Sequence, residues 1–371
     1  MNVNISSKEN LIPVIIPSYE PDERMTVLVK ELAESGEYIV IVDDGSGEEF
    51  KVFFDKAKEL LAENGVILRH DVNKGKGAAL KTAFKYVLDN MTEAVGTVTA
   101  DSDGQHCVAS INDVKKSLLE NKDSLILGVR SLEGDDIPWK SKAGNAITKK
   151  VTRYVSGLDV SDTQTGLRGI PAKFMEELLS VKGDRFEFEM RMLLEAKGKY
   201  KIIEVPISTI YESKDHHSTH FNPFADSIRI YRVLGESFIR YIFSSLSSCV
   251  LDIALFSFLC FLLKGKYAGY IAIATVIARI VSATYNFALN YKMVFKSNEK
   301  VGKAAIKYVT LAVVQMALSA FLVTMGVKWL VVVPETVVKI VVDTCLFFMS
   351  YKIQQKFVYI SRKPFMMSSG S

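Results

Sequence analysis

Two patterns of hydrophobic positions divide the chain. Between residue 11 and about residue 207, short apolar runs alternate with longer segments whose apolar residues recur at helical spacing. The short runs are LIPVII, YIVIVDD, GVILRH, AVGTVTAD and SLILGV, and the helical segments between them are ERMTVLVKELAES, EEFKVFFDKAKELLAEN and GAALKTAFKYVLDN. Strands that alternate with helices predict an α/β unit, a Rossmann-like and mostly parallel sheet with helices on both faces.

The second pattern begins after residue 221 and consists of long apolar segments. They are Phe238–Leu263, Tyr267–Phe287, Ile306–Leu330 and Val331–Val358. Each is longer than the ~20 residues that a helix needs to cross a bilayer core. We therefore predict an all-α membrane domain of four transmembrane helices, in which the boundary between the third and fourth is poorly marked.

Charge follows the same division. From Arg229 to the end there are 17 Lys and Arg against 5 Asp and Glu, whereas the preceding part has 29 against 37. A basic, apolar half behind an acidic one is typical of a cytosolic domain followed by membrane helices, not of a nucleic-acid-binding protein. The amino terminus lacks the pattern of a signal peptide. We expect a multi-pass protein of the cell (plasma) membrane with its first domain and both termini in the cytoplasm.

The join between the halves reads NPFADSIRIYRVLGESF. Its apolar residues Phe224, Ile228, Tyr231 and Leu234 share one helical face, which predicts an amphipathic helix on the inner leaflet. The alternative is an ordinary packing helix. The predicted domain boundaries are therefore 1–221 for the cytosolic domain, 222–237 for the interfacial helix, 238–360 for the membrane domain and 361–371 for a tail.

The motif DSDGQH follows the fourth predicted strand. Asp101, Asp103 and Gln105 there offer two carboxylates and an amide oxygen, which are the hard ligands that Mg²⁺ or Mn²⁺ prefers. Such a metal would neutralise a diphosphate leaving group. The alternative is a solvated turn whose acids cap a helix.

Further polar clusters follow other strands. In PSYEPD, Pro17 and Tyr19 could pack on a base while Glu20 accepts a hydrogen bond from it. In DDGS, Asp43 or Asp44 could accept from a base or a ribose. The backbone of NKGKG precedes a helix and could face a phosphate. Taken singly, each motif could equally serve turn chemistry.

Together these motifs resemble those of the family 2 glycosyltransferases with a GT-A fold, in the branch of polyprenyl- or dolichyl-phosphate sugar synthases. The resemblance covers about residues 11–221. It extends to LGVR, to DTQTGLRG, to RFEFEMRML with Glu187 and Glu189, and to SKDHHSTHFNP. Residues 235–360 resemble a GtrA-like four-helix membrane domain, most clearly in SATYNFALNYKMVF.

The resemblance implies an enzyme that moves a hexose from a nucleotide sugar to polyprenyl (undecaprenyl) phosphate at the cytoplasmic leaflet, with inversion and with Mg²⁺ or Mn²⁺. UDP-glucose or UDP-N-acetylglucosamine is the expected donor, and GDP-mannose is the alternative. A processive synthase is disfavoured because QxxRW is missing. Another class remains open, in which the chain is a lipid-linked sugar translocase or scaffold with a binding-only front domain. No nucleic-acid partner is expected, and the membrane helices could support a homo-oligomer.

The resemblance also implies roles for individual residues. The donor site comprises Pro17, Tyr19, Glu20, Asp43, Asp44, Lys76, Asp101 and Ser102. The residues expected to carry catalysis are Asp162, Gln164, Arg130 and Arg168. The acceptor phosphate is expected to contact Arg130, Arg168, Lys214 and His217. A lipid phosphate is already an anionic nucleophile, so it needs alignment by cations more than it needs a strong base. Asp162 would orient the acceptor or act as a base, and Glu187 and Glu189 would line the acceptor side or be structural.

Charged residues also occur inside the predicted spans. Asp252, Arg279, Lys339 and Asp343 should face the bundle interior and pair, since an unpaired charge there costs ~3 kcal/mol or more. They form either an inert structural set or a polar path for a lipid-linked phosphate-sugar, by which the membrane domain would help to translocate the product.

Overall fold

A computed structural model describes residues 10–130, 149–207, 225–329 and 333–359 of the chain. Lys214 and His217 lie outside these residues. Contacts divide the chain into two compact units, Met1–Leu234 and Gly235–Ser371.

The first unit contains one seven-stranded sheet. Its strands are β1 (Val14–Ser18), β2 (Ile39–Asp43), β3 (Gly65–Arg69), β4 (Gly96–Thr99), β5 (Ser124–Arg130), β6 (Arg168–Pro171) and β7 (Lys201–Ile207). They are ordered β3-β2-β1-β4-β6-β5-β7. All pairings are parallel except those of β6, which runs antiparallel to both β4 and β5. The predicted mostly parallel sheet is confirmed.

Helices connect the strands of this unit. They are α1 (Glu23–Glu34), α2 (Lys51–Leu61), α3 (Lys76–Asn90), α4 (Val108–Glu120), α5 (Ala172–Leu178) and α6 (Glu187–Ala196). A further helical segment occupies 149–155. The predicted strands and helices from β1 to β5 all appear, because their apolar periodicity matches the surface that each buries.

The sheet is buried on both faces. In β1, Ile15 packs into one core cluster while Val14 and Ile16 pack into the other. In β2, Val40 and Ile41 are divided between the same two clusters. Successive side chains of a strand point to opposite faces, so continuously apolar strands require cover on both sides.

Four long helices follow. They are α7 (Ala225–Leu263), α8 (Tyr270–Leu289), α9 (Val301–Trp329) and α10 (Glu335–Ile353), and π-helical turns continue α8 over Asn290–Val294 and α10 over Gln354–Val358. Three segments within the described residues, Ile228–Leu263, Tyr270–Val294 and Val301–Trp329, are long and apolar enough to cross a membrane. The predicted fourth span is also a helix, but it carries Glu335, Lys339 and Asp343 and is not among those three.

The join differs from the prediction of a separate interfacial helix. Helix α7 begins at Ala225 and runs without interruption to Leu263. Its buried residues near the start are Ile230, Val233 and Leu234, which pack into a core cluster of the first unit. Ile228 and Tyr231, placed on the predicted apolar face, are exposed. Because Ile230 and Val233 have a core surface to cover, this part of α7 serves as a packing helix.

The charged residues inside the helices are paired, as expected. Asp252 lies 3.4 Å from Arg279 and accepts a hydrogen bond from Ser282, and Lys339 lies 2.9 Å from Asp343. The prediction that they all face the bundle interior is wrong for three of the four. The side chains of Arg279, Lys339 and Asp343 are 73%, 61% and 46% exposed in this chain, whereas that of Asp252 is 20% exposed.

Candidate active site

A cavity of about 660 Å³ lies where β1, β2, β4 and β5 end and α3 begins. In open α/β sheets, the crevice beyond the carboxyl ends of the strands is the usual ligand site. The residues that line it and carry polar or charged side chains are Ser18, Tyr19, Asp44, Asn73, Lys76, Asp101, Ser102, Asp103, Arg130, Thr163, Gln164, Arg185 and Glu189.

Lys76 occupies the centre of the charge arrangement. Its Nζ lies 2.6 Å from Asp101 Oδ1 and 3.0 Å from Glu189 Oε1. Burial lowers the pKa of Lys76, but attraction by the two carboxylates outweighs this effect and holds the pKa above its ordinary value. Burial likewise raises the pKa of Asp101, yet Lys76 outweighs it and holds that pKa well below its usual range. The pair therefore remains fully charged at neutral pH.

Asp103 is in a different electrostatic position. Burial and repulsion by Asp101 raise the pKa of Asp103, while the backbone N–H of Gln105 donates a hydrogen bond of 3.1 Å to its Oδ1. Buried His106 lies beside this pair, with Nε2 3.9 Å from Asp101 Oδ2. Its Nδ1 has no hydrogen-bond partner within the described part of the chain. His106 is a site residue that the sequence reasoning overlooked, although it closes the DSDGQH motif.

Asp101 and Asp103 offer oxygen ligands to a divalent metal. No group of three His, Cys, Asp or Glu side chains is placed to hold an ion among the described residues. However, Asp101 and Asp103 form a crowded carboxylate pair whose mutual repulsion a divalent cation would relieve. Their oxygens are the hard donors that suit Mg²⁺ or Mn²⁺, and Gln105 contacts Asp103 through its backbone N–H. The donor set therefore fits the metal predicted from the sequence.

The two acids after β2 have internal partners. Asp44 accepts hydrogen bonds from the backbone N–H groups of Lys74 and Gly75, at 3.0 and 2.7 Å, and lies 2.6 Å from His70 Nδ1. It thereby fixes the NKGKG loop against the end of β2, and it also lines the cavity. Asp43 accepts from the N–H of Ser46 at 2.9 Å and is not among the lining residues. Asp43 thus holds the turn, and its contact with the donor stays a prediction.

The segment after β1 carries backbone strain. Glu20 has a φ of +49°, and its N–H donates to Ser46 Oγ at 2.8 Å. A non-glycine residue in this region costs roughly 1–3 kcal/mol, and such residues cluster at functional sites. A hydrogen bond with Glu20 raises the pKa of Tyr19. Pro17 and Tyr19, which were predicted to pack on a base, line the cavity, whereas Glu20 is not among its described lining residues.

Arg130 and Asp162 form a pair at the end of β5. Arg130 Nε donates to Asp162 Oδ2 at 2.7 Å, and Asp162 also accepts from the N–H of Gln164 at 3.0 Å. Asp162 is buried, while Arg130 and Gln164 line the cavity. Its carboxylate positions Arg130 and the turn that carries Gln164, and the role of Asp162 in orienting the acceptor or acting as a base stays a prediction.

Arg168 is not placed to bind a phosphate, contrary to the prediction. It is 1% exposed, and its guanidinium donates to the carbonyl oxygens of Thr165, Glu189 and Thr163 at 2.8, 2.8 and 3.3 Å. Burial lowers its pKa. The sequence alone does not show that an arginine is buried. The three carbonyl oxygens that accept from Arg168 belong to two segments that are distant in the chain. Arg168 therefore holds the TQTG loop to α6 from behind the cavity.

The loop that precedes β6 makes room for Asp101. A Cβ at Gly166 would lie 2.2 Å from Asp101 Oδ2, far inside contact distance. Across the cavity, the segment Arg185–Met190 supplies Phe186, whose ring lies 5.8 Å from Lys76 Nζ. The motif RFEFEMRML predicted that Glu187 and Glu189 line the acceptor side or are structural. The fold shows that Glu189 is a partner of Lys76.

Comparison with known families matches both halves of the chain. Residues 14–179 match the family described as glycosyl transferase family 2. Residues 237–359 match the GtrA/DPMS transmembrane domain.

Individual relatives match the first half. A protein of Methanocaldococcus jannaschii is 31% identical over 216 residues, which are 56% of this chain and 85% of the relative. The UDP-N-acetylglucosamine–dolichyl-phosphate N-acetylglucosaminyltransferase of Methanococcus voltae is 30% identical over 224 residues, covering 55% and 87%. A dolichyl-phosphate β-glucosyltransferase of Trichomonas vaginalis is 24% identical over 222 residues, covering 53% and 64%. With its strand-end carboxylates and its membrane helices, the chain belongs to the family 2 glycosyltransferases and carries a GtrA/DPMS transmembrane domain.

Proposed function

We propose that this membrane glycosyltransferase transfers a hexose from a nucleotide sugar to the phosphate of a polyprenol. The observation that carries the proposal is the cavity at the strand ends, which places Lys76 and Arg130 together with Asp101 and Asp103. An anionic donor and an anionic acceptor both need cations nearby, and a leaving diphosphate needs its charge offset. The family, shared with relatives whose names specify dolichyl phosphate, supports the same acceptor class.

The proposed step is a single displacement. An oxygen of the lipid phosphate attacks the anomeric carbon, the bond from that carbon to the nucleoside diphosphate breaks, and the nucleoside diphosphate leaves with the electron pair. The configuration inverts because attack and departure occur on opposite faces. The nucleophile is already ionised, so no group in the cavity has to remove its proton. Alignment and exclusion of water are what the protein supplies.

Asp101, Asp103 and the amide of Gln105 would hold Mg²⁺ or Mn²⁺. The ion, when bound, supplies positive charge to the leaving diphosphate. The chain's own contribution is to keep Asp101 ionised, which Lys76 does at 2.6 Å. A bound cation would in turn favour the ionised form of Asp103, whose pKa is raised by burial and by Asp101.

The donor is proposed to lie against Pro17, Tyr19, Asp44 and Ser102. All four line the cavity, and the Lys74–Gly75 backbone is fixed beside them by Asp44. UDP-glucose or UDP-N-acetylglucosamine is the proposed donor, and the named activity of the Methanococcus voltae relative agrees with the second. GDP-mannose remains the alternative donor.

The acceptor phosphate is proposed to contact Arg130, which Asp162 orients at 2.7 Å. Arg185 also lines the cavity and is a second candidate cation. Lys214 and His217 are proposed to complete the acceptor side. A first domain over 1–221, a membrane domain over 238–360, the cytoplasmic position of the first domain and self-association through the helices are part of the same proposal, whereas residues 225–237 belong to α7.

The direct test incubates membranes that contain the full chain with polyprenyl phosphate and a panel of radiolabelled nucleotide sugars. One donor should deliver label to the lipid phase. Asp103→Asn should lower that transfer by about a hundredfold or more, since the amide is a poorer ligand and offsets less charge. Asp113→Asn, on the exposed side of α4, is the matched control and should keep full activity. Lipid labelling by none of the donors would contradict the proposal.

Removal of divalent metal gives a separate prediction. EDTA should abolish transfer, and Mn²⁺ or Mg²⁺ should restore it. The same titration in Asp113→Asn should follow wild type. Full transfer in EDTA would remove the metal role of Asp101, Asp103 and Gln105 while leaving glycosyl transfer itself intact.

A further inference from the structure

His70 is a buried histidine to which the proposed function gives no role. It follows β3 directly, its side chain is 6% exposed, and both of its ring nitrogens have partners. Nδ1 lies 2.6 Å from Asp44 Oδ1, and Nε2 lies 2.9 Å from the hydroxyl oxygen of Thr82 in α3. One ring thus joins the end of β2, the end of β3 and α3.

The partners of His70 indicate which ring nitrogen carries the proton. A carboxylate can only accept, so Nδ1 donates to Asp44. In the uncharged ring Nε2 is an acceptor, and the hydroxyl of Thr82 can donate to it. The series from Thr82 through His70 to Asp44 therefore has matched donors and acceptors. Hydrogen bonds of this kind, placed behind a functional side chain, set its orientation.

A hydroxyl, an imidazole and a carboxylate in this order also occur in hydrolytic triads. A nucleophilic role does not fit the positions found here. Neither Thr82 nor His70 is among the described residues that line the cavity, whereas Asp44 does line it. In a triad the carboxylate is the member farthest from the substrate. The series is therefore arranged to position Asp44 and not to activate Thr82.

The carboxylate of Asp44 has few positions left for further hydrogen bonds. Oδ1 accepts from His70 and from the N–H of Lys74, and Oδ2 accepts from the N–H of Gly75. Each carboxylate oxygen accepts about two hydrogen bonds. Counted over the described residues, Oδ1 is full and Oδ2 retains one position. A ligand in the cavity that Asp44 lines has this position to donate to.

The start of α3 is held in a separate way. The N–H of Ala78 donates to the carbonyl of Asp184 at 2.9 Å, and a Cβ added at Gly75 would lie 2.4 Å from the same carbonyl oxygen. Lys76 should therefore keep its place beside Asp101 when His70 is replaced. The effect of losing His70 should be confined to the orientation of Asp44 and to the N–H groups that it holds.

We propose that His70 is a positioning residue for the donor. It fixes the carboxylate of Asp44 so that the remaining position of Oδ2 accepts from a hydroxyl or an N–H group of a nucleoside diphosphate. Ribose hydroxyls and base N–H groups are donors of this kind. The inference rests on the proposed function for the place of the donor beside Asp44.

The test measures donor binding and turnover separately, with the full chain in nanodiscs. Calorimetry with Mn²⁺ uses UDP and GDP as probes, and steady-state transfer gives kcat and the KM of each substrate. His70→Leu should weaken binding of the preferred nucleotide about tenfold, the effect of losing one charge-assisted hydrogen bond. The KM for the nucleotide sugar should rise equally, while kcat and the KM for polyprenyl phosphate stay near wild type.

Two substitutions and one control refine this test. His70→Asn should recover most of the lost affinity, because its Nδ2 is as many bonds from the backbone as Nδ1 of histidine. Thr82→Val should weaken binding less than His70→Leu does. Thr97→Val is the control, since Thr97 is buried, donates to the carbonyl of Pro13 at 2.8 Å and is not among the cavity-lining residues. It should lower stability and leave both KM values unchanged.

A double-mutant cycle decides whether His70 acts through Asp44. Asp44→Asn should itself weaken nucleotide binding, and the addition of His70→Leu should change the Kd little further, because residues of one network are not additive. Additive losses would overturn the positioning role, and so would an unchanged Kd in folded His70→Leu. A lower kcat at unchanged KM would also overturn it, since it would reflect only a smaller active fraction.

Hydrogen exchange without ligand separates this inference from the proposed function. The peptide that contains Lys74 and Gly75 should exchange faster in His70→Leu, because Asp44 no longer holds both N–H groups in place. Unchanged exchange would contradict the network. Nucleotide binding without sugar transfer to polyprenyl phosphate would count against the proposed function alone. Normal transfer with an unchanged donor KM in His70→Leu would count against His70 alone, and binding of neither nucleotide by wild type would count against both.

Discussion

At the residue scale, the active cavity depends on how its charges are matched. Lys76 serves two carboxylates from different parts of the chain, Asp101 after β4 and Glu189 in α6. DSDGQH was recognisable as a ligand motif, because acids directly after a buried strand lie at the edge of the sheet where ligands bind. The partnership with Glu189 was not recognisable, since it depends on where α6 packs.

Replacing Lys76 by Met should destabilise the first unit and stop transfer. A buried carboxylate, Glu189, and a half-buried one, Asp101, would lose their counter-charge, which should cost less than the ~3–5 kcal/mol of breaking a fully buried pair. Chemical unfolding monitored by circular dichroism measures the loss. Lys85→Met, an exposed position on the same helix, should change stability little. Equal unfolding midpoints for the two variants would show that Lys76 is not the counter-charge described.

Gly166 offers a finer test of the carboxylate position. A methyl group there would lie 2.2 Å from Asp101 Oδ2, so Gly166→Ala should move that carboxylate and reduce transfer by about a hundredfold. Gly302→Ala, where a Cβ meets no atom within 4 Å, is the control for the substitution itself. The comparison requires kcat and KM. Normal kcat in a folded Gly166→Ala protein would contradict the assigned position of Asp101.

At the scale of elements, the apolar runs predicted β1 to β5 and three of the helices between them. Each run is long enough for the spacing of its apolar residues to show which positions are buried. Strand β6 escaped prediction. It has four residues, and its antiparallel pairing joins β4 to β5 across a remote segment. The same remoteness hid the burial of Arg168, whose hydrogen-bond acceptors are carbonyls of its own loop and of α6.

Arg168→Ala should therefore act on stability. Three carbonyl oxygens would lose their donor inside the protein, which should cost about 3 kcal/mol or more. Arg153→Ala, at an exposed arginine, should cost far less. Calorimetry with the nucleotide sugar at low temperature should show near-normal donor binding by the folded fraction. Full stability combined with a selective loss of acceptor use would restore the phosphate role predicted from the sequence.

At the scale of the whole molecule, two family matches in one chain join sugar transfer to a membrane domain. Hydropathy predicted four membrane helices, and three of them are long and apolar enough to span within the described residues, because spanning a bilayer demands length and apolarity in the sequence itself. The division at Leu234 and Gly235 falls within α7, so no break in periodicity marks it.

Donor labelling distinguishes glycosyl transfer to a lipid phosphate from transfer of a sugar phosphate. The full chain receives polyprenyl phosphate and one of two forms of the same nucleotide sugar, labelled either in the sugar or in the phosphate next to it. Sugar label should enter the lipid phase and phosphate label should not, because the bond between the anomeric carbon and the diphosphate breaks. Equal entry of both labels would show that a sugar phosphate is transferred and that glycosyl transfer to the lipid phosphate does not occur.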